Sequence, residues 1–100
     1  MVLGHVDGLS EVVARVEMPD MVRLTFRAAM HLARFIAPKG SVAIDGVSLT
    51  VNEVEGDAFS VLVIPHTLSV TTLRGLHAGD VTNLEVDPMA RYAARLMETR

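Results

Sequence analysis

The chain has 100 residues, half of them apolar but only 4% aromatic, and a formal net charge of −3. Its length suits one domain with a core of Val, Leu, Ala, Ile and Met, and its acidic balance lacks the basic footprint of a nucleic-acid binder. With no cysteine there is no disulfide framework, thiolate nucleophile or Cys-ligated metal; no apolar run nears the roughly 18–20 residues of a membrane span, and the N-terminus lacks the regions of a signal peptide, so a soluble cytoplasmic protein is expected.

Residues 1–100 read as a single domain without linker or low-complexity tract. Residues 11–18 alternate, with Val12, Ala14, Val16 and Met18 on one face and Glu11, Arg15 and Glu17 mainly on the other, which predicts a half-buried strand. Pro19-Asp20 turns the chain into Val22, Leu24 and Phe26 alternating with Arg23, Thr25 and Arg27, the second arm of an antiparallel hairpin. From Ala28 to Ala37 the period changes, and Leu32, Phe35 and Ile36 suit a short helix closed by Pro38-Lys39-Gly40.

The run from Gly40 to Val54 is two strands around Asp45-Gly46, a dipeptide that favours the positive φ of tight hairpin turns. Beyond that turn Val47, Leu49 and Val51 point one way and Ser48, Thr50 and Asn52 the other, because strand side chains alternate faces. Ala58–Ile64 is a dense β run ended by Pro65. His66–Leu73 reads as a short helix or an irregular segment, Arg74–Asp80 as a loop, and Val81–Val86 as the last strand. Asp87 as N-cap and Pro88 at the first helical position then open a helix over about 88–99. Its apolar stripe of Met89, Tyr92, Ala93, Leu96 and Met97 needs a partner, either the barrel or another subunit. Short strands with a few short helices predict a small antiparallel barrel.

Candidate chemistry is sparse. His5, His31, His66 and His77 show no metal-ligand spacing, so no metal site is expected. His31 and His77 read as surface residues. His5 sits between two glycines beside Asp7 and is either functional or a turn histidine. His66 lies at a strand end, where barrel mouths bind ligands, or is a solvated turn residue. Ser48 and Thr50 are either cross-strand hydroxyls or ligand contacts, and no triad accompanies them. Thr67, Ser69, Thr71 and Thr72 can cap local backbone groups. Lys39 is a solvated loop lysine or an anion partner, and Asp87 is explained as a cap.

Taken as motifs, the chain resembles the C-terminal barrel of riboflavin synthase. The matching pieces are Gly4-His5-Val6-Asp7-Gly8, Lys39 to Val51, Ile64-Pro65-His66-Thr67-Leu68 with Thr71-Thr72-Leu73, and Gly79-Asp80 followed by Asn83-Leu84-Glu85-Val86-Asp87. The resemblance implies an all-β, six-stranded antiparallel Greek-key barrel with short helices and a C-terminal helix that contributes to trimer assembly. It also implies a reaction without cofactor or metal, in which two molecules of 6,7-dimethyl-8-ribityllumazine dismutate to riboflavin and a ribitylamino-pyrimidinedione.

Carried over, Gly4, His5 and Val6 line the pteridine site and Lys39 approaches it. Ser48, Leu49 and Thr50 present hydroxyl and backbone groups. Ile64, Pro65, His66, Thr67, Leu68 and Ser69 complete the wall and hold the ribityl chain, while His5, Ser48 and Thr50 handle protons. A full synthase is about twice as long and builds its site from two barrels of neighbouring subunits; the Phe-Thr-Gly-Ile-Val type opening of its first repeat is absent here. The expectation is a lumazine- or riboflavin-binding half with weak or no turnover alone, whose partners are the N-terminal barrel and further copies of itself, as a dimer or trimer. Two other readings are a non-catalytic lumazine or flavin carrier and an assembly module built on the C-terminal helix.

Overall fold

The computed structural model describes residues 6–98. Six strands close a barrel: β1 Gly8–Glu17, β2 Val22–Ala28, β3 Ser41–Ile44, β4 Val47–Glu55, β5 Ala58–Val63 and β6 Val81–Val86. They are ordered β1-β2-β5-β4-β3-β6 around the wall, with every neighbouring pair antiparallel. β3, β4 and β5 follow one another as hairpins and β6 returns beside β3, the spatial order of a Greek key. Closure leaves no free sheet edge. The helices are α1 Met30–Ala33, α2 Pro65–Val70 and α3 Pro88–Glu98, with a 3₁₀ turn over Thr72–Gly75.

The inward rows of alternating residues make the core. Val12, Leu24, Phe26, Ile44, Val51, Phe59, Val61, Val63 and Leu84 are buried. Phe26 and Phe59, opposite one another on β2 and β5, stack with centroids 5.3 Å apart. Leu32 of α1 closes the end where β1 begins, so tightly that a Cβ on Gly8 would lie 2.6 Å from its Cδ1. Leu73 within the 3₁₀ turn that follows α2, and Leu76 at its end, are also buried. Ser10 and Thr82, the buried hydroxyls facing each other across β1 and β6, share a hydrogen bond of 2.8 Å. They thereby satisfy polar groups that would otherwise cost stability.

Two elements depart from the expectation. β1 does not keep one face buried throughout, because a bulge at Val13 separates Val12 opposite Phe26 from Ala14 opposite Thr25. One extra residue inverts the alternation, so Val16 turns outward at 38% exposure while Arg15 comes level with the buried Leu24. Arg15 then caps the barrel end, donating from Nη1 to the carbonyls of Arg74 and Leu76. The helix expected over Ala28–Ala37 shrinks to one turn. Ala28 still belongs to β2, Ala29 offers no capping side chain, and the segment continues as i→i+3 turns that bury Leu32 and Ile36.

α3 forms where predicted, with Asp87 Oδ1 accepting the Met89 N–H at 2.9 Å. Its apolar stripe, however, does not pack on the barrel: Met89, Tyr92, Leu96 and Met97 all stay exposed.

Candidate functional site

The β3–β4 hairpin turns through Asp45 (φ 48°) and Gly46 (φ 82°), the paired positive φ values of a type I′ turn. The tip is tied down by β6, since Asp45 Oδ1 accepts the Asn83 N–H at 2.8 Å and the Asp45 N–H donates to the Asn83 carbonyl. This register sets Ser41 opposite Thr50 and Ala43 opposite Ser48, with Glu85 of β6 level with Ala43. All five residues alternate with buried Val42, Ile44 and Val86 or half-buried Leu49, so they share the outer face. On the other flank the β4–β5 ladder reaches Val51 opposite Val61, next to Thr50 on one strand and Leu62 on the other, and Ile64 follows just beyond the end of β5. Leu62 and Ile64 are 40% and 54% exposed.

The result is an outward band that passes from apolar to polar: Leu62 and Ile64, then the hydroxyls of Thr50, Ser48 and Ser41, the small Ala43, and the Glu85 carboxylate. A cavity of about 140 Å³ opens on this band, lined by Ser41, Val42, Ala43, Ser48, Glu85, Val86, Asp87 and Pro88. Ligand pockets usually enclose roughly 300–1,000 Å³, so this one is a floor with one wall. Chemically, the band can accept and donate hydrogen bonds at the edge of a flat ring whose face rests on aliphatic side chains.

Of the residues expected to act here, Gly4 and His5 lie outside the described part of the chain. Val6 is 48% exposed and precedes Asp7, whose N–H bonds the Leu84 carbonyl alongside β6. Ser48 and Thr50 stand exposed on the band. Leu49 points the opposite way and packs on the core, leaving its backbone to the site. Lys39 is exposed at positive φ (69°) with its N–H on the Val51 carbonyl, at the barrel end where Gly40 also pairs with Val51.

The stretch Ile64–Ser69 divides. Ile64 flanks the hydroxyl row and is the N-cap of α2, and Pro65 opens that helix. His66 is exposed and Leu68 packs on the core. Ser69 donates its hydroxyl to the His66 carbonyl and lines a separate groove with Asp45, Val47 and Thr71. The Thr71 hydroxyl donates to the Thr67 carbonyl and accepts the Leu73 N–H, so local capping explains it. Asn52, expected in the hydroxyl row, is displaced by a second bulge and donates to Ser60 Oγ at 3.4 Å. Ser41, Ala43, Leu62 and Glu85 were not among the expected site residues. The alternation of Ser41 and Ala43 with Val42 and Ile44 is the signal that marks two of them, but only strand pairing places them beside Ser48.

A family model described as "Lumazine binding domain" matches residues 3–87. The chain belongs to the lumazine-binding domain family. This domain is 56% identical over 98 residues to riboflavin synthase of Brucella abortus, covering 98% of this chain and 48% of that protein. Against riboflavin synthase of Mycobacterium tuberculosis it is 42% identical over 104 residues, covering 99% of this chain and 51% of the relative. The lumazine-binding domain thus spans about half the length of the curated relatives it matches. The same barrel recurs in LumP complexed with 6,7-dimethyl-8-(1′-D-ribityl)lumazine, with a TM-score of 0.81 and 22% identity over 86% of this chain and 49% of that one. A LumP complex with riboflavin matches at 0.79 and 24% identity, covering 87% of this chain and 47% of that one.

Proposed function

We propose that this domain is the lumazine-binding half of a riboflavin synthase, and that the outer band of β3, β4, β5 and β6 is its ligand site. The observation that carries the reading is the row of hydroxyls at Ser48, Thr50 and Ser41 beside exposed Leu62 and Ile64, in a chain whose relatives are named riboflavin synthase. Leu62 and Ile64 support the face of the pteridine. Ser48, Thr50 and Ser41 hydrogen-bond its polar edge, and Glu85 offers a further acceptor. Gly4, His5 and Val6 take the pteridine-site role that the family resemblance assigns them, Lys39 approaches from the hairpin base, and Ile64 to Ser69 hold the ribityl chain.

The reaction proposed for the full enzyme is the dismutation of two 6,7-dimethyl-8-ribityllumazine molecules into riboflavin and a ribitylamino-pyrimidinedione. Holding two reactants stacked and oriented removes most of the entropic cost of their encounter. His5, Ser48 and Thr50 handle the protons that leave and re-enter the lumazine methyl groups. The small cavity supports the requirement for a second wall, supplied by the N-terminal barrel of a neighbouring subunit. The isolated domain therefore binds ligand and turns it over weakly or not at all, and it self-associates.

Titration of 6,7-dimethyl-8-ribityllumazine with the purified domain, followed by fluorescence, tests the site; a saturable change is expected. Turnover is then assayed with and without an N-terminal barrel. Robust riboflavin formation by this chain alone overturns the two-barrel requirement, and no response in the titration overturns the site.

A further inference from the structure

Asp7 is a charged side chain bonded to Val86, one of the residues that line the cavity. Its carboxylate is 1% exposed, and an ionised group so buried is tolerated only when paired and hydrogen-bonded. Oδ2 accepts the Val86 N–H at 2.7 Å, and Oδ1 accepts from Arg91 Nη1 at 2.6 Å. One carboxylate thus joins the start of β1, the last residue of β6 and the first turns of α3.

Those last two pieces frame the cavity, because Glu85, Val86, Asp87 and Pro88 line it. α3 has no buried residue, so burial does not hold it. Ion pairs between described residues tie it to the barrel near its start and near its end. Near its start Arg91 reaches Asp7 and lies 5.4 Å from the centre of the Phe35 ring; near its end Glu98 pairs with Arg34.

We propose that Arg91 is a positioning residue for the ligand site: its ion pair with Asp7 holds the β6–α3 junction in place and so sets the width of the cavity. The inference rests on the functional reading above, because the ligand concerned is lumazine. It goes further in making affinity depend on a helix that touches the cavity only through its first residue and cap. Loss of the guanidinium removes the Arg91 charge from beside the buried Asp7 carboxylate, and the junction relaxes to give the carboxylate access to water. Arg34 pairs with Glu98 at the far end of α3 and, sharing the Phe35 ring with Arg91, lies 4.9 Å from its centre, but its ion pair is with Glu98 rather than with Asp7 at the β6–α3 junction.

The test compares the unaltered chain with Arg91→Met, Arg91→Lys and Arg34→Met. Lumazine affinity is read by fluorescence titration, junction mobility by hydrogen exchange over residues 84–90 in the free chain, and folding by thermal melting. Arg91→Met is expected to bind roughly five- to tenfold more weakly, the lower part of the usual range for coupling between sites, with faster exchange at Val86. Arg91→Lys recovers part of both, and Arg34→Met changes neither even though it loses an ion pair on the same helix. Equal weakening by Arg91→Met and Arg34→Met would mean general loosening of α3 and overturn the proposal. So would unchanged affinity and exchange in Arg91→Met, while leaving the binding site itself standing. An unaltered chain that binds no lumazine removes the functional reading, and this inference with it.

Discussion

Ser48→Ala separates a ligand contact from a structural hydroxyl. Ser48 is exposed on the outer face of β4, opposite Ala43, so its removal leaves no buried partner unsatisfied. Surface changes of this kind usually alter stability by less than about 0.5 kcal/mol, and the melting temperature should hardly move. In a complex the hydroxyl makes a hydrogen bond whose net worth is about 0.5–1.5 kcal/mol, which converts to roughly 2- to 13-fold in Kd. Ser10→Ala is the matched control. Ser10 is 3% exposed and bonded to Thr82 Oγ1, so its removal strands a buried hydroxyl and should cost about 1–3 kcal/mol of stability without affecting lumazine affinity in the folded fraction. Fluorescence titration and denaturant unfolding on both variants read the two effects apart. Unchanged affinity in Ser48→Ala would refute the placement of the ligand on this face.

Three further outcomes are expected. Phe26→Ala removes one ring of the stacked core pair and should destabilise the fold by about 3–5 kcal/mol, read as a fall in the urea midpoint. Deleting Val13 removes the bulge yet keeps Ala14 opposite Thr25, Arg15 opposite Leu24 and Val16 opposite Arg23 in plain alternation, so Arg15 keeps its bonds to the Arg74 and Leu76 carbonyls; the same midpoint should move by less than about 1 kcal/mol equivalent, the typical single-residue effect, and a larger fall would show that the bulge itself stabilises the barrel. Truncation after Asp87 removes the exposed Met89, Tyr92, Leu96 and Met97 and should lower the mass measured by light scattering; an unaltered mass removes α3 from any self-association.

Much of the barrel is legible in the sequence because its strands alternate with period two and its turns carry the residues that their geometry needs. Val22, Leu24 and Phe26, the Asp45-Gly46 turn and the Asp87-Pro88 helix start are local signals, and the structure places each as read. β1 is different. A bulge is decided by how two strands match across the barrel, so nothing local to Val13 announces that Arg15 and Val16 exchange faces. The one-turn α1 is also a tertiary outcome, in which the chain spends Leu32 and Ile36 on plugging the barrel rather than on extending a helix.

The candidate site divides along the same line. Alternation alone put Ser48 and Thr50 on a polar face, and the motifs within Lys39–Val51 tied that face to a family. What surrounds those hydroxyls depends on residues far apart in the chain: Ser41 and Ala43 across the hairpin, Leu62 from β5 with Ile64 just after it, and Glu85 from β6. Sequence determines which side of its own strand a residue occupies, because that follows from backbone geometry. Only closure of the barrel decides which side chains become neighbours on that side, and the same closure buried Asp7 between β6 and Arg91.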